Sequence, residues 1–204
     1  MNLGSLHGNF IFPRRVRRLC ELLAEALPAD ARVLDVGCGD GSLDALLMRA
    51  RSDVRIEGAD VLRRRETQIP VAQFDGVRLP FADGSFDIVM FVDVLHHIRD
   101  PLPLLRDAVR VSRGGLLIKD HLLEGLASGT RLRFMDWVGN ARFGVALPYN
   151  YWPAARWEHA FAELGLGVTS RRTELKLYPQ PLDSIFGASL HFIARLVPCS
   201  VASG

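Results

Sequence analysis

Nine residues constrain the fold of this chain more than any others: Val33-Leu-Asp-Val-Gly-Cys-Gly-Asp-Gly41. Val33, Leu34 and Val36 favour a strand. Gly37, Gly39 and Gly41 fall at every second position, and Ser42-Leu-Asp-Ala-Leu-Leu-Met48 continues as a helix. A strand that ends in a glycine turn and opens a helix lets the backbone approach a ligand, because glycine has no Cβ and tolerates positive φ. The first N–H groups of the helix have no partner inside it. Asp35 adds a carboxylate at the carboxyl end of the strand, where open α/β sheets bind their ligands.

The segments around this turn alternate in period. Val16, Leu19, Cys20, Leu22, Leu23 and Ala26 recur at helical spacing, so residues 13–27 read as an amphipathic helix with Pro13 near its start and Pro28 closing it. Strands are expected over 31–36, 54–59, 69–74, 86–92, 115–119, 167–172 and 191–197. Helices are expected over 42–51, 101–111 and 153–164. This order predicts a mostly parallel sheet covered on both faces. Residues 121–150 break the rhythm with Phe134, Met135, Trp137, Phe143 and Tyr149 among glycines and polar groups. A segment of that length is often functional, and it reads equally well as an insertion packed on the core.

Length and composition narrow the classes. The 204 residues fit one domain over 1–204, with a helical cap over 1–30. Hydrophobic content of 49% and charged content of 24% are those of a soluble globular chain. A net charge of +2 gives no strong field toward nucleic acid. Cys20, Cys38 and Cys199 are scattered and form no CxxC, which argues against a disulfide framework or a structural zinc site. No metal is expected, and a reducing cytoplasm fits. The first residues do not read as a secretory signal, and the longest clean apolar run, Ile88 to Val92, is too short to span a bilayer. Arg14, Arg15, Arg17 and Arg18 read as a solvated helix face, with an anionic acceptor or a weak peripheral membrane contact as the alternative.

Three acidic positions follow successive strands: Asp35, Asp60 and Asp75. The turn is D-x-G-x-G-x-G rather than the dinucleotide G-x-G-x-x-G, since position 42 is serine. The dinucleotide pattern sets a pyrophosphate on the helix start. An aspartate there would repel phosphate and suits a cationic or amino-acid-bearing ligand. Asp60 lies about 20 residues past the glycines, where an acid bonds ribose hydroxyls. Asp75 can accept from an exocyclic amine such as that of adenine.

These segments resemble the class I S-adenosylmethionine-dependent methyltransferases, and within them the type 11 subset. The matching residues are Val33–Gly41, Glu57-Gly-Ala-Asp60, Phe74-Asp-Gly-Val-Arg-Leu-Pro-Phe81, Ala82-Asp-Gly-Ser-Phe-Asp-Ile-Val89 and Asp93-Val-Leu-His-His-Ile98. The likeness covers about residues 15–120 and thins out beyond. It implies a Rossmann-like α/β fold. The sheet has seven strands in the order 3-2-1-4-5-7-6, mostly parallel with strand 7 antiparallel, and helices on both faces. It implies S-adenosylmethionine as cofactor and S-adenosylhomocysteine as product. Asp35 with the backbone of Gly37, Cys38 and Gly39 would hold the amino-acid end. Asp60 would take the ribose, Val61 would pack on adenine, Asp75 and Gly76 would meet its N6 edge, and Val92 and Asp93 would border the methyl group.

The acceptor expected is a small molecule. Should it be a hydroxyl, the candidate bases are His121, placed just past strand 115–119, then His96 and Asp93. The pocket is expected from His7–Arg15 and from 121–152, with Phe10, Phe12, Phe134, Trp137, Tyr149, Tyr151 and Trp152 as candidate lining. Three other readings stand beside this one: a nucleic-acid or protein methyltransferase, a non-catalytic cofactor-binding partner, and a nicotinamide enzyme. The strand-4 end Phe91-Val-Asp-Val94 lacks the Asn/Asp-Pro-Pro-Tyr/Phe of enzymes acting on base amines. A homodimer stays open.

Overall fold

The computed structural model describes residues 12–62, 64–125, 127–140, 149–187 and 189–199, without the side chains of Phe12 and of 136–140. His7, Phe10 and Phe143 therefore lie outside the described residues, as do the side chains of Phe12 and Trp137.

The first helix, α1, spans Phe12–Ala26. Strands β1 Arg32–Val36, β2 Arg55–Asp60, β3 Val71–Gln73, β4 Ile88–Val92, β5 Leu116–His121, β6 Leu166–Arg172 and β7 His191–Pro198 follow. They build one sheet in the order β3-β2-β1-β4-β5-β7-β6. Neighbours among β1–β5 pair in parallel, and β7 runs antiparallel to both β5 and β6. Between β1 and β4 the chain changes the direction in which it winds, and such a switch point opens a crevice at the carboxyl ends of both strands. Asp35 and Asp93 both stand there.

Helices α2 Ser42–Ala50, α3 Leu102–Val111, α4 Ser128–Asn140, α5 Ala154–Glu163 and the short α6 Leu182–Phe186 complete the chain. The pleat divides the core in two. Val33, Ile88, Met90 and Leu117 pack with Leu19 and Leu23 of α1 and Leu47 of α2. Leu34, Val36, Val89, Phe91, Leu116 and Ile118 pack on the opposite face with Leu104 and Leu105 of α3 and Trp157 and Phe161 of α5. Strands buried on both faces read as unbroken apolar runs, as β4 does.

Several expected boundaries move for physical reasons. Strand β3 is three residues long, because Pro70 has no N–H for the ladder and only its carbonyl is used, by the Gly58 N–H at 2.8 Å. Phe86 makes an isolated bridge to Ser112, so β4 begins at Ile88. Strand β5 runs two residues past its expected end, since β7 continues to pair with it through Asp120↔Phe192 and His121↔His191. His121 is thus the last residue of a buried strand, 4% exposed, and not a loop residue beyond it. The segment 121–150 contains α4, and α6 has no counterpart among the expected helices.

Candidate active site

The glycine turn is held from β2. The Gly37 N–H donates to the Ala59 carbonyl at 2.7 Å, and the Gly39 N–H donates to Asp60 Oδ2 at 2.8 Å. The Leu62 N–H donates to Asp60 Oδ1 at 2.8 Å, so this carboxylate clamps the turn and the start of the next loop together. Gly37 has φ +81°, and a Cβ there would lie 2.5 Å from Val94 Cγ2. Gly39 has φ +64° with open space where its Cβ would be, which is the face a ligand can approach. Cys38 packs inward against Gly58, and burial, with the charges of Asp35, Asp44 and Asp60, pushes its thiol up. It is a protonated packing residue that offers only its backbone.

Acid without compensation marks this half. Asp35 is 3% exposed and Asp44 0%, and no donor meets Asp35 Oδ1 or either Asp44 oxygen. Burial, then Asp44, then Asp60 raise the Asp35 carboxyl well above the usual range. Burial raises Asp44 to about 7, its contact with Asp35 offsetting part of the rise. A pocket of this charge fits the cationic amino-acid end of S-adenosylmethionine and opposes a phosphate. Asp44 is a site residue that the sequence reading misses; its only signal is an acid in the first turn of the helix after the glycines.

A cleft of about 350 Å³ continues from Asp60 past Leu62, Arg64, Arg65, Thr67, Val71 and Gln73. Val61 beside it is about half exposed. Asp75 is exposed and holds a turn: its Oδ1 accepts from the Val77 and Arg78 N–H groups, both at 2.8 Å, and these bonds lower its pKa. Gly76 follows with φ +87°. The structure brings Asp35, Gly37–Gly39 and Asp60 together, and leaves Asp75 at the rim beyond β3.

At the carboxyl end of β4 the chemistry inverts. Asp93 has φ +56°, a conformation aspartate tolerates better than most residues. Its Oδ2 accepts from Arg15 Nη2 at 2.6 Å, and its Oδ1 pairs with Lys119 Nζ. Burial works against ionisation here, but Lys119 and then Arg15 outweigh it and hold the carboxyl well below the usual range. Lys119 is fully buried, with His191 Nδ1 3.4 Å from its ammonium. Arg15 is therefore turned inward and Arg18 donates to the Leu175 carbonyl, which corrects the reading of that arginine cluster as a solvated face; Arg14 and Arg17 are the exposed members.

Beside this knot sits a buried imidazole cluster. His96 Nδ1 lies 2.6 Å from Asp120 Oδ1, and Asp120 also accepts from the N–H groups of Leu95 and His121. His121 Nδ1 is 3.2 Å from His96 Nδ1, 3.3 Å from Asp120 Oδ1 and 3.7 Å from Asp93 Oδ1. Burial, then the neighbouring His96, lower the His121 pKa, and burial with Lys119 lowers that of His191 further. Both rings are neutral near pH 7. Tyr151 stacks on His96 with ring centroids 5.6 Å apart. Among the expected pocket aromatics, Trp152 belongs to the main core instead, while Leu132, Tyr151 and Leu190 form a small cluster of their own. Phe134 is half exposed and stacks on Phe186. Lys119, Asp120 and His191 are further site residues that the sequence reading misses; charge at the end of an apolar strand, Lys119-Asp-His121, is the available signal. His96, Asp120 and His121 are also a set able to hold a metal ion.

The chain belongs to the class I S-adenosylmethionine-dependent methyltransferase family: residues 9–171 match its methyltransferase domain. It is 33% identical over 123 residues to 27-O-demethylrifamycin SV methyltransferase of Amycolatopsis mediterranei, covering 52% of this chain and 45% of that protein. It is 31% identical over 158 residues to 2-methyl-6-phytyl-1,4-hydroquinone methyltransferase of Synechocystis, covering 69% of this chain and 44% of that one. The chain spans about half the length of the curated relatives it matches. Its fold is that of geranyl diphosphate C-methyltransferase from Streptomyces coelicolor, with a TM-score of 0.64 at 15% identity over 89% of this chain and 80% of that one. The PH0226 protein of Pyrococcus horikoshii gives a TM-score of 0.65 at 19% identity over 92% and 91%. Among the described residues no helix is long and apolar enough to cross a membrane.

Proposed function

We propose that this chain methylates a hydroxyl of an uncharged small molecule, using S-adenosylmethionine and leaving S-adenosylhomocysteine. When bound, the cofactor supplies a methyl on a sulfonium whose leaving group needs no proton. Asp35 and the open backbone at Gly39 would receive the amino-acid end, Asp60 the ribose, Val61 the adenine face and Asp75 with Gly76 its edge. Val92 and Asp93 would border the methyl group. The protein must then align acceptor, methyl and sulfur, and orientation of this kind contributes roughly 7–11 kcal/mol.

The observation that carries the acceptor side is His96 Nδ1 on Asp120 Oδ1 at 2.6 Å. A carboxylate on one ring nitrogen fixes the imidazole and stabilises its protonated form, the arrangement of a general base. His96 would take the hydroxyl proton through its other nitrogen, with Asp120 as a positioning residue and His121 shaping the ring's surroundings. A base adds about 10²–10⁴-fold, so placement contributes more to the rate than proton removal does. The relatives' names mention a 27-O-demethylrifamycin and a hydroquinone, and both substrate names suit an uncharged hydroxyl.

Calorimetric titration tests the cofactor part directly. S-adenosylhomocysteine should bind one site per chain, and Asp60→Ala should weaken it. No binding by the intact chain overturns the reading. For the acceptor part, His96→Gln should slow methyl transfer to hydroquinones, and an unchanged rate removes His96.

A further inference from the structure

Asp44 has no part in the proposed methyl transfer, yet its setting is the least explained in the molecule. It lies in the first turn of α2, fully buried, with no donor on either oxygen, and Asp35 Oδ1 beside it has none either. Two buried carboxyls in contact cannot both ionise without a counter-charge. The groups that bear on them are Asp40 and Cys38 from the turn and Asp60 from β2, all acidic and none cationic. The open face of Gly39 belongs to the same turn.

We propose that Asp35 and Asp44 together hold one proton until the cofactor's ammonium group arrives, and then release it to solvent. This rests on the proposed binding of S-adenosylmethionine in the same cleft. On binding, one carboxyl O–H bond breaks, its electron pair stays on oxygen, and the proton goes to buffer. The pair passes from one negative charge to two, and the ammonium balances the second. The proton belongs to the pair rather than to either residue. Both carboxyls are buried and raised, and none of the groups that bear on them is cationic, so the pair keeps a proton near neutral pH. Because binding expels a proton, affinity for the cofactor rises with pH over the range in which the free pair holds it.

Calorimetry in buffers of different ionisation enthalpy measures the proton count. At about pH 7.5, S-adenosylhomocysteine should release close to one proton per molecule bound. Methylthioadenosine, which shares the nucleoside but has no ammonium, should release none. Asp44→Asn removes one acid of the pair while keeping its shape, and should cut the release to less than half. Binding of S-adenosylhomocysteine without proton release, equal release by methylthioadenosine, or full release from D44N would each overturn the proposal. These outcomes differ from failure of S-adenosylhomocysteine to bind at any pH, which removes the cofactor reading and this inference with it. If D44N does not fold, the comparison of the two ligands on the intact chain decides alone.

Discussion

Asp35 and Asp93 stand at the carboxyl ends of adjacent strands, and their surroundings are opposite. Asp35 meets further acids, has an oxygen with no donor, and is pushed toward its protonated form. Asp93 meets Lys119 and Arg15 and is held ionised. Around Asp35 and Asp44 the β1–β2 side holds an excess of acid, with Arg64 and Arg65 further along the cleft. On the β4–β5–β7 side each carboxylate has a partner: Arg15 and Lys119 meet Asp93, His96 meets Asp120, and His121 and His191 are neutral. The ammonium of the proposed cofactor would answer the acid of the first side, while on the second each carboxylate already has a cationic or imidazole partner.

The sharpest way to break this contrast is to damage one side and measure both. His96→Gln keeps a polar side chain but removes the base. Turnover should fall by about 10²–10⁴-fold, while calorimetric affinity for S-adenosylhomocysteine stays within about twofold. Equal losses in both would mean that the two halves act as one unit and that His96 is structural.

The reciprocal experiment is Asp60→Ala. Affinity for S-adenosylhomocysteine should drop at least about tenfold, or 1.4 kcal/mol, since both oxygens of Asp60 hold backbone around the turn and the proposed ribose contact would go with them. The acceptor's KM should not move. This half is the legible one. Val33–Gly41 and Asp60 are written in contiguous segments, where spacing alone reports the turn, and the strand order follows from the family resemblance those segments carry. The acceptor half is assembled from partners far apart in the chain. Arg15 meets Asp93 across 78 residues, and Lys119 meets His191 across 72. His191 reaches the site only because β7 runs antiparallel beside β5 in a register that sets it opposite His121. Apolar periodicity locates both strands, but it carries no information on register, so Lys119, Asp120 and His191 stay invisible as site residues. Asp44 is hidden differently. The glycine turn beside it is plain in the sequence, but an acid in the first turn of a helix ordinarily reads as a solvated partner of the helix dipole.

The smallest effect separates two roles that coincide at the rim. Asp75 accepts two backbone N–H groups through Oδ1, and its other oxygen takes neither of them. Asp75→Ala removes both bonds from an exposed turn, so stability should fall only slightly in denaturant titration. If Asp75 also accepts from the adenine amine, S-adenosylhomocysteine should weaken by a few-fold, while a cofactor analogue with hydrogen in place of that amine binds the variant and the original chain alike. Equal weakening of both ligands would make Asp75 a turn residue alone. The cofactor half would then rest on Asp35, Asp44 and Asp60, all on or beside β1 and β2, with β3 serving only to close the sheet edge.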